Sequence, residues 1–232
     1  MYERLLIEMT EARTAPLVPE VTLRLARDAA GIFVAVDAIE RPGVRMPPYW
    51  AFAWPGGQAT ARWLLDHAAE VAGKRVVDIG AGSGVAAIAA ALAGAATVLA
   101  ADIDPLATVA IGINARANGV QITTTTEDVL GTMPPADLVL LGDLVYEPET
   151  AVRVAAVLDK AAREGGDVLV ADRIQARRLP VGGLKRGRDG APVAFDLVGT
   201  YDAPLTPTLD AHPFERARLW RLHGQGRRGT RR

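Results

Sequence analysis

The chain has 232 residues, with 26 lysine and arginine residues, 27 aspartate and glutamate residues and no cysteine. This length suits one α/β domain with a short appendage. The absence of cysteine excludes a disulfide framework, a thiolate metal site and a cysteine nucleophile. The net charge of −1 and the three scattered histidines argue against a bulk polyanion partner and a histidine-rich metal centre. We therefore expect neither nucleic-acid binding nor a bound metal.

Neither the N-terminus nor the longest apolar run has the pattern of a membrane segment. Glu3 and Glu8 interrupt the N-terminal apolar residues, which is unlike a secretory signal. The longest apolar run, residues 85–101, is shorter than the ~20 residues that a spanning helix needs. These features predict a soluble, cytoplasmic protein without a membrane partner, and we expect a monomer.

Apolar periodicity predicts alternating strands and helices along most of the chain. A short strand near residues 18–25 comes first, within a mixed N-terminal region. The other predicted elements are helices at 58–71, 85–93, 105–117 and 149–163 and strands at 75–79, 97–101, 120–126, 138–141, 168–171, 193–201 and 215–222. The last two strands have no helix between them, which favours an antiparallel hairpin. The pattern predicts a doubly wound α/β fold with a mostly parallel seven-stranded sheet, as in Rossmann-like class I methyltransferases.

This pattern also suggests how the chain is divided. Residues 1–48 are expected to form an N-terminal extension that packs on the core. Residues 49–223 would form the methyltransferase domain, and the Gly/Arg-rich residues 224–232 are expected to be a disordered tail.

A glycine-rich loop joins the strand at 75–79 to the next helix. Its sequence, V-V-D-I-G-A-G-S-G, contains Asp78, Gly80, Gly82 and Gly84. Glycines at such a turn allow the backbone amides to approach a ligand. The loop also fits the dinucleotide fingerprint, with Ala87 at its last position, so an NAD(P) site is an alternative. However, the Asp78 carboxylate would repel a pyrophosphate and can attract the ammonium group of S-adenosylmethionine, which favours the latter as cofactor.

Two further acids follow successive predicted strands. Asp102 lies 20 residues after Gly82, a spacing that suits a carboxylate accepting from ribose hydroxyls, and it can alternatively cap a helix. Asp128 follows the next strand, where a carboxylate can accept from the adenine amino group. It can alternatively be a solvated turn residue, and Glu127 is its immediate competitor.

The segment after the strand at 138–141 is expected to face the transferred methyl group. It reads L-G-D-L-V-Y, with Gly142, Asp143 and Tyr146. It has no Asn/Asp-Pro-Pro-aromatic tetrad of the kind used for amino groups of nucleic-acid bases, and methylation at pyrimidine C5 would need a cysteine. Asp143 and Tyr146 instead form a D-x-x-Y pattern.

Together with Y-W-A-F-A-W-P-G-G-Q at residues 49–58, this segment resembles the lysine methyltransferases that modify the β subunit of electron transfer flavoprotein, within the seven-strand D-x-x-Y group. The likeness extends from about residue 17 to residue 220. It implies S-adenosylmethionine as cofactor and a protein lysine as acceptor. By position it implies cofactor contacts at Asp78, Gly80, Gly82, Gly84, Asp102, Asp128 and Gly142, catalytic residues Asp143 and Tyr146 at the target lysine, and a closing wall of Trp50 and Trp54. The family's expected Gly-Asp-Pro-Gly is replaced here by residues 171–174, A-D-R-I, which leaves the protein substrate open.

The catalytic hypothesis is that Asp143 orients the lysine amine and passes its proton to water, while Tyr146 adds a hydrogen bond or an aromatic wall. Structural roles are the alternatives: Asp143 as a helix cap, Tyr146 in the core, and Trp50 and Trp54 as cover for the sheet. Other acceptors, such as a ribosomal protein or a small-molecule amine, also stay open. If the protein is not a methyltransferase, the alternatives are an NAD(P)-dependent oxidoreductase and a catalytically inert binding module.

Overall fold

The computed structural model describes residues 2–39, 46–144, 148–173, 195–204 and 214–224. The helices are α1 (Tyr2–Met9), α2 (Ala29–Asp37), α3 (Pro55–Asp66), α4 (Ala68–Val71), α5 (Val85–Leu92), α6 (Pro105–Ala117), α7 (Val129–Thr132) and α8 (Pro148–Arg163), with a 3-10 turn at Tyr49–Ala51. The strands are β1 (Thr10–Ala15), β2 (Val18–Ala26), β3 (Arg75–Ile79), β4 (Thr97–Ala101), β5 (Thr123–Thr125), β6 (Leu138–Gly142), β7 (Asp167–Arg173), β8 (Phe195–Pro204) and β9 (Phe214–Leu222).

The main sheet has seven strands in the order β5-β4-β3-β6-β7-β9-β8. Strands β5, β4, β3, β6 and β7 are parallel, and β9 is antiparallel to both β7 and β8. The predicted fold class is therefore confirmed, including the C-terminal antiparallel hairpin. The chain changes direction across the sheet at β3, because β4 lies on one side of it and β6 on the other. Ligands of such sheets bind in the crevice at this switch point, outside the carboxyl ends of the strands.

The central strand β6 shows why the sheet is covered on both faces. Leu138 and Leu140 belong to the core that includes the helices α3 and α5, whereas Val139 and Leu141 belong to the core that includes α8. Each of these four side chains is at most 2% exposed. An apolar strand without alternation is expected when helices pack on both faces of a parallel sheet.

The N-terminal region forms a β-hairpin of β1 and β2, which pair antiparallel from Thr10↔Ala26 onward. Val21, Leu23 and Leu25 of β2 are fully or almost fully buried in the same core as α3 and α5. The strand predicted near residues 18–25 is confirmed, whereas α1, β1 and α2 were not predicted. The hairpin thus shares its core with the main sheet.

The long helix predicted at 58–71 is two helices in the structure. Helix α3 begins at Pro55, a residue suited to the first helical position because its fixed φ matches a helix and its missing N–H is not needed there. It ends at His67, whose φ of −120° and ψ of 39° interrupt the helix before α4. At this break the His67 ring stacks on Trp63 with centroids 4.4 Å apart. Within the described part of the chain, no helix has both the length and the apolar character required to cross a bilayer.

Candidate functional site

A cleft of about 330 Å³ opens at the carboxyl ends of β3, β4 and β6, where the chain changes direction across the sheet. Its wall combines the loop after β3, the residues after β4 and β6, and the aromatic segment that precedes α3. The lining includes Tyr49, Trp50, Trp54, residues 79–83, residues 101–104, residues 127–130, residues 142–144, Thr150 and Arg153. Most of the predicted site residues therefore share one cavity.

The glycine loop after β3 follows a course that L side chains rarely adopt. Gly80, Gly82 and Gly84 have φ values of 68°, 51° and 79°, in the left-handed region. A Cβ at Gly80 would lie 2.6 Å from Leu144 Cδ1, so this position also lacks space for a side chain. A Cβ at Gly82 would meet nothing closer than the Trp50 Cα at 3.9 Å. At Gly82 the loop can thus present its backbone to a ligand without a side chain between them.

Asp102 lies on the cleft wall at the end of β4. Its two carboxylate oxygens accept the amide hydrogens of Gly82 at 2.9 Å and Asp104 at 3.0 Å, and so connect the glycine loop to the turn before α6. Burial raises the pKa of Asp102 to about 6 against these hydrogen bonds, which favour the ionised form. A half-buried acceptor at this point of the wall is suited to a ligand that carries hydroxyl groups.

Asp78 lies beneath the glycine loop and not on the cleft wall. It is 3% exposed, and its carboxylate accepts the amide hydrogen of Ala87 in the first turn of α5 at 3.1 Å. Burial, together with the negative charge of Asp102, raises the pKa of Asp78 to about 7. The sequence predicted an interaction of this carboxylate with a ligand's ammonium group, directly or through water; Asp78 is absent from the cleft lining, and that interaction stays a prediction. In the structure the side chain stabilises the N-terminus of α5, since the first amides of a helix lack partners within the helix.

Asp128 lines the cleft, and its carboxylate already contacts two protein groups. It caps α7 by accepting the amide hydrogen of Leu130 at 3.2 Å, and it forms an ion pair with Arg153 of α8 at 2.5 Å. Glu127, its competitor in the sequence analysis, also lines the cleft. Both acids therefore line the cleft, and Asp128 also caps α7; which of the two contacts the adenine amino group stays a prediction.

The segment after β6 lies directly against the N-terminus of α3. Asp143 Oδ2 accepts the amide hydrogen of Gly56 at 2.6 Å and is 3.4 Å from the Gly57 amide nitrogen. A Cβ at Gly142 would lie 3.2 Å from the same Gly57 nitrogen, so the two segments approach closely. Asp143 itself has a φ of 50°, a strained conformation for a residue with a side chain. The two motifs that carried the family resemblance thus meet at one side of the cleft.

Trp50 and Trp54, the two residues of the predicted closing wall, both line the cleft and differ in exposure. Trp50 is 1% exposed, whereas Trp54 is partly buried and donates its indole N–H to the Tyr49 carbonyl oxygen at 2.8 Å. The Tyr49 and Trp54 rings meet edge to face with centroids 5.8 Å apart. Tyr146, the second predicted catalytic residue, lies outside the described residues.

Two residues near the site were missed by the sequence analysis. Gln58 is completely buried; its Oε1 accepts the Leu17 amide hydrogen at 3.1 Å, and its Nε2 donates to the carbonyls of Ala53 at 2.7 Å and Pro204 at 3.2 Å. It therefore connects α3 to two distant segments, at Leu17 and Pro204, and to the residues just before the helix. A glutamine on the buried side of the predicted helix was the available signal. Arg153, which lines the cleft beside Asp128, had no comparable signal in the sequence.

The strand order, the glycine loop at the switch point and the acid at the end of the neighbouring strand define a class I methyltransferase fold. A family model for ribosomal protein L11 methyltransferase (PrmA) matches residues 56–163. Among solved structures, magnesium protoporphyrin IX methyltransferase from Synechocystis PCC 6803, determined with bound S-adenosylmethionine, superimposes with a TM-score of 0.52 at 22% identity. That match covers 72% of this chain and 78% of the other, and it supports the fold alone.

Sequence similarity to curated proteins identifies the family of this chain. The electron transfer flavoprotein β subunit lysine methyltransferase of Xenopus laevis is 39% identical over 181 residues, or 76% of this chain and 72% of that protein. The human protein of the same name is 40% identical over 149 residues, or 62% of this chain and 55% of that protein. The mammalian and fish relatives are matched over about half of their length. The chain belongs to the electron transfer flavoprotein β subunit lysine methyltransferase family, whose cofactor is S-adenosylmethionine.

Proposed function

We propose that this protein transfers a methyl group from S-adenosylmethionine to a lysine side-chain amine of the β subunit of electron transfer flavoprotein. Family membership supports the reaction and the substrate. The observation that carries the proposal to particular residues is the contact of Asp143 with Gly56, which joins the L-G-D segment and the W-P-G-G-Q segment beside the cleft. Both segments are the specific parts of the resemblance.

The described residues fit S-adenosylmethionine. The Asp102 carboxylate is suited to accept hydrogen bonds from the ribose hydroxyls, and a Cβ at Gly82 would have no side-chain atom within 4 Å, so its backbone is open to a ligand. Apolar side chains of Ile103 and Leu130 flank the region where an aromatic base can pack. Asp128 or Glu127 would accept from the adenine amino group. Bound there, the cofactor supplies a sulfonium methyl group that an amine can attack without covalent help from the protein.

The protein's own contribution is to hold the lysine amine in position. A lysine ammonium has a pKa of about 10.4 and must lose a proton before it can attack. Asp143 lines the cleft. The hydrogen bond from the Gly56 amide holds its carboxylate in one orientation relative to the cleft. In this proposal Asp143 orients the lysine amine, and the proton that the lysine ammonium loses passes to water. Tyr49 and Trp54 offer aromatic surface to the aliphatic stem of the lysine, and Tyr146 adds a hydrogen bond or an aromatic contact.

A second acceptor is favoured by one observation, the match of residues 56–163 to the model for ribosomal protein L11 methyltransferase. The chemistry of the site would be the same with a ribosomal protein, because a protein amine would again approach Asp143. The two substrates therefore differ in what surrounds the target amine and not in the reaction.

The test is methyl transfer from radiolabelled S-adenosylmethionine, first into a cell lysate and then into purified electron transfer flavoprotein. We expect label on a lysine of the β subunit, located by mass spectrometry, and none with the Asp143→Ala variant. The chain contains Lys74, Lys160 and Lys185 as its only lysines, so automethylation can be mapped and excluded. Label in a ribosomal protein would favour the second acceptor, and label in RNA or in small molecules would overturn both. The cytoplasmic location and the monomeric state stay predictions, to be checked by fractionation and gel filtration.

A further inference from the structure

Asn114 lies between the N-terminal hairpin and the glycine loop and contacts both. It is completely buried in α6, far from solvent. Its Oδ1 accepts the amide hydrogen of Arg24 in β2 at 2.8 Å, and its Nδ2 donates to the Ser83 carbonyl oxygen at 2.9 Å. Because one partner is a donor and the other an acceptor, the carboxamide has only one orientation that satisfies both. Asn114 thus joins β2 to the loop that lines the cleft.

Asn118, the residue that caps the C-terminus of α6, binds the same strand but does not contact the loop. Its Oδ1 accepts the Thr22 amide hydrogen at 2.9 Å, and its Nδ2 donates to the Thr22 carbonyl oxygen at 2.6 Å and the Asn114 carbonyl oxygen at 2.7 Å. Asparagines four residues apart lie on the same face of a helix, so both amides meet the edge of β2 that does not pair with β1. Of the two asparagines, Asn114 is the one that donates to the Ser83 carbonyl oxygen.

The Ser83 carbonyl belongs to the part of the loop where the backbone conformation is least ordinary. It lies between Gly82 and Gly84, both in the left-handed region. On the other side of the loop, the Gly82 amide donates to Asp102. Asn114 and Asp102 therefore hold the loop from two sides, one by its carbonyl and one by its amide. Losing the first would leave the Ser83 carbonyl without its buried donor and the loop free to take other conformations, which cofactor binding would then have to oppose.

We propose that Asn114 is a positioning residue for the cofactor, and that it makes the N-terminal β-hairpin a working part of the cofactor site. This proposal rests on the proposed function only in that the cleft binds S-adenosylmethionine. Since the Arg24 amide in β2 fixes the orientation of Asn114, and Asn114 holds the Ser83 carbonyl, the position of β2 at Arg24 favours the loop conformation that receives the ligand. By thermodynamic reciprocity, ligand binding must stabilise the hairpin in turn.

The first experiment compares Asn114→Ala with Asn118→Ala by calorimetric titration with S-adenosylhomocysteine and by thermal unfolding. Both variants are expected to unfold at lower temperature. The Asn114 variant should bind the ligand about five- to tenfold more weakly, in line with the loss of one buried hydrogen bond, while the Asn118 variant stays within about twofold of the unmodified protein. In turnover assays the Asn114 change should raise KM for S-adenosylmethionine and leave kcat nearly unchanged.

A second measurement on the unmodified protein keeps the proposal testable if Asn114→Ala does not fold. Hydrogen exchange of the Arg24 amide, which reports on its bond to Asn114, should slow when S-adenosylhomocysteine is added. Equal ligand affinity of the two variants, or Arg24 exchange that the ligand does not change, would overturn the role of Asn114. Failure of every form of the protein to bind S-adenosylhomocysteine would instead overturn the proposed function, so the two failures are distinguishable.

Discussion

The carboxylate of Asp143 accepts the backbone amide hydrogen of Gly56 at 2.6 Å, although the two residues are 87 positions apart. This hydrogen bond gives Asp143 a structural role at the N-terminus of α3 in addition to the proposed catalytic one. The two alternatives that the sequence left open for Asp143 are therefore compatible. A helix N-terminus carries partial positive charge and holds a carboxylate firmly, which suits a group that must orient a substrate.

Asp143→Asn should separate these two roles. The amide side chain has the same size and retains an oxygen that can accept from Gly56, but it lacks the charge that attracts an amine. We expect methyl transfer to fall at least ~100-fold while the dissociation constant for S-adenosylmethionine stays within about twofold. Single-turnover transfer and calorimetry measure the two quantities.

The matched control is Asp202→Asn, which removes an exposed carboxylate paired with Arg216 at 2.6 Å, away from the cleft lining. It should leave both quantities unchanged. Loss of cofactor binding in Asp143→Asn would contradict the placement of this residue at the acceptor side of the cleft.

Gly56→Ala should disturb the contact from the other side. A Cβ at this position would lie 2.7 Å from Asp143 Oδ2 and 3.0 Å from the Asp143 backbone nitrogen, so either α3 or the Asp143 loop must move. We expect a loss of about 1–3 kcal/mol in the free energy of unfolding and reduced methyl transfer. Gly112→Ala in α6 is the control, because its Cβ would meet only Arg116 Nη1 at 3.7 Å. That change should be neutral or stabilising by up to about 1 kcal/mol; equal effects of the two changes would contradict the steric argument.

Gln58→Leu tests the glutamine of the W-P-G-G-Q segment. The change would leave the Leu17 amide and the Ala53 and Pro204 carbonyls without their buried partner. We expect the free energy of unfolding in urea to fall by about 1–3 kcal/mol. Gln121→Leu, at an exposed position, serves as control and should stay within about 0.5 kcal/mol. An undiminished stability of Gln58→Leu would show that these three segments do not depend on the glutamine.

Asp78 should make the ligand-free protein less stable as the pH rises. Burial raises its pKa from 3.8 to about 7, so the folded protein binds this proton more tightly than the unfolded chain does. The stabilising contribution of the protonated carboxyl is complete below pH 3.8 and is lost as the pH increases through about 7. Asp102, with a pKa of about 6, acts in the same direction.

Urea unfolding of the ligand-free protein between about pH 5 and about pH 8 measures this effect. The Asp78→Asn variant removes the titrating group and keeps an oxygen that can accept from the Ala87 amide. Its stability should therefore change less over this range than that of the unmodified protein. A steeper loss of stability in the variant would contradict the buried, proton-binding state of Asp78.

Much of the fold could be predicted because its signals are local. The alternation of apolar strands and helices predicted the seven-stranded sheet, and helix α6 was predicted with its bounds and its Asp104 cap, which accepts the Leu106 amide hydrogen at 2.9 Å. The N-terminal helices α1 and α2 and the strand β1 were missed. For α2 the reason is visible in its sequence, A-A-G-I-F-V-A-V-D, which is apolar on all sides and leaves Val34 exposed, so it lacks helical periodicity.

The sequence by itself determined the class of fold, the glycine loop and the positions of Asp102 and Asp143 at strand ends, because spacing and residue type decide these features over short stretches of chain. Only the tertiary structure decided that Asp78 turns beneath the loop toward Ala87, that Asp143 holds the start of α3, and that Asn114 joins the hairpin to Ser83. The physical reason is that a buried polar side chain takes whichever partner the fold brings within hydrogen-bonding distance. Such partners can be far away along the chain: Asn114 and Arg24 are 90 residues apart, and Gln58 and Pro204 are 146 residues apart.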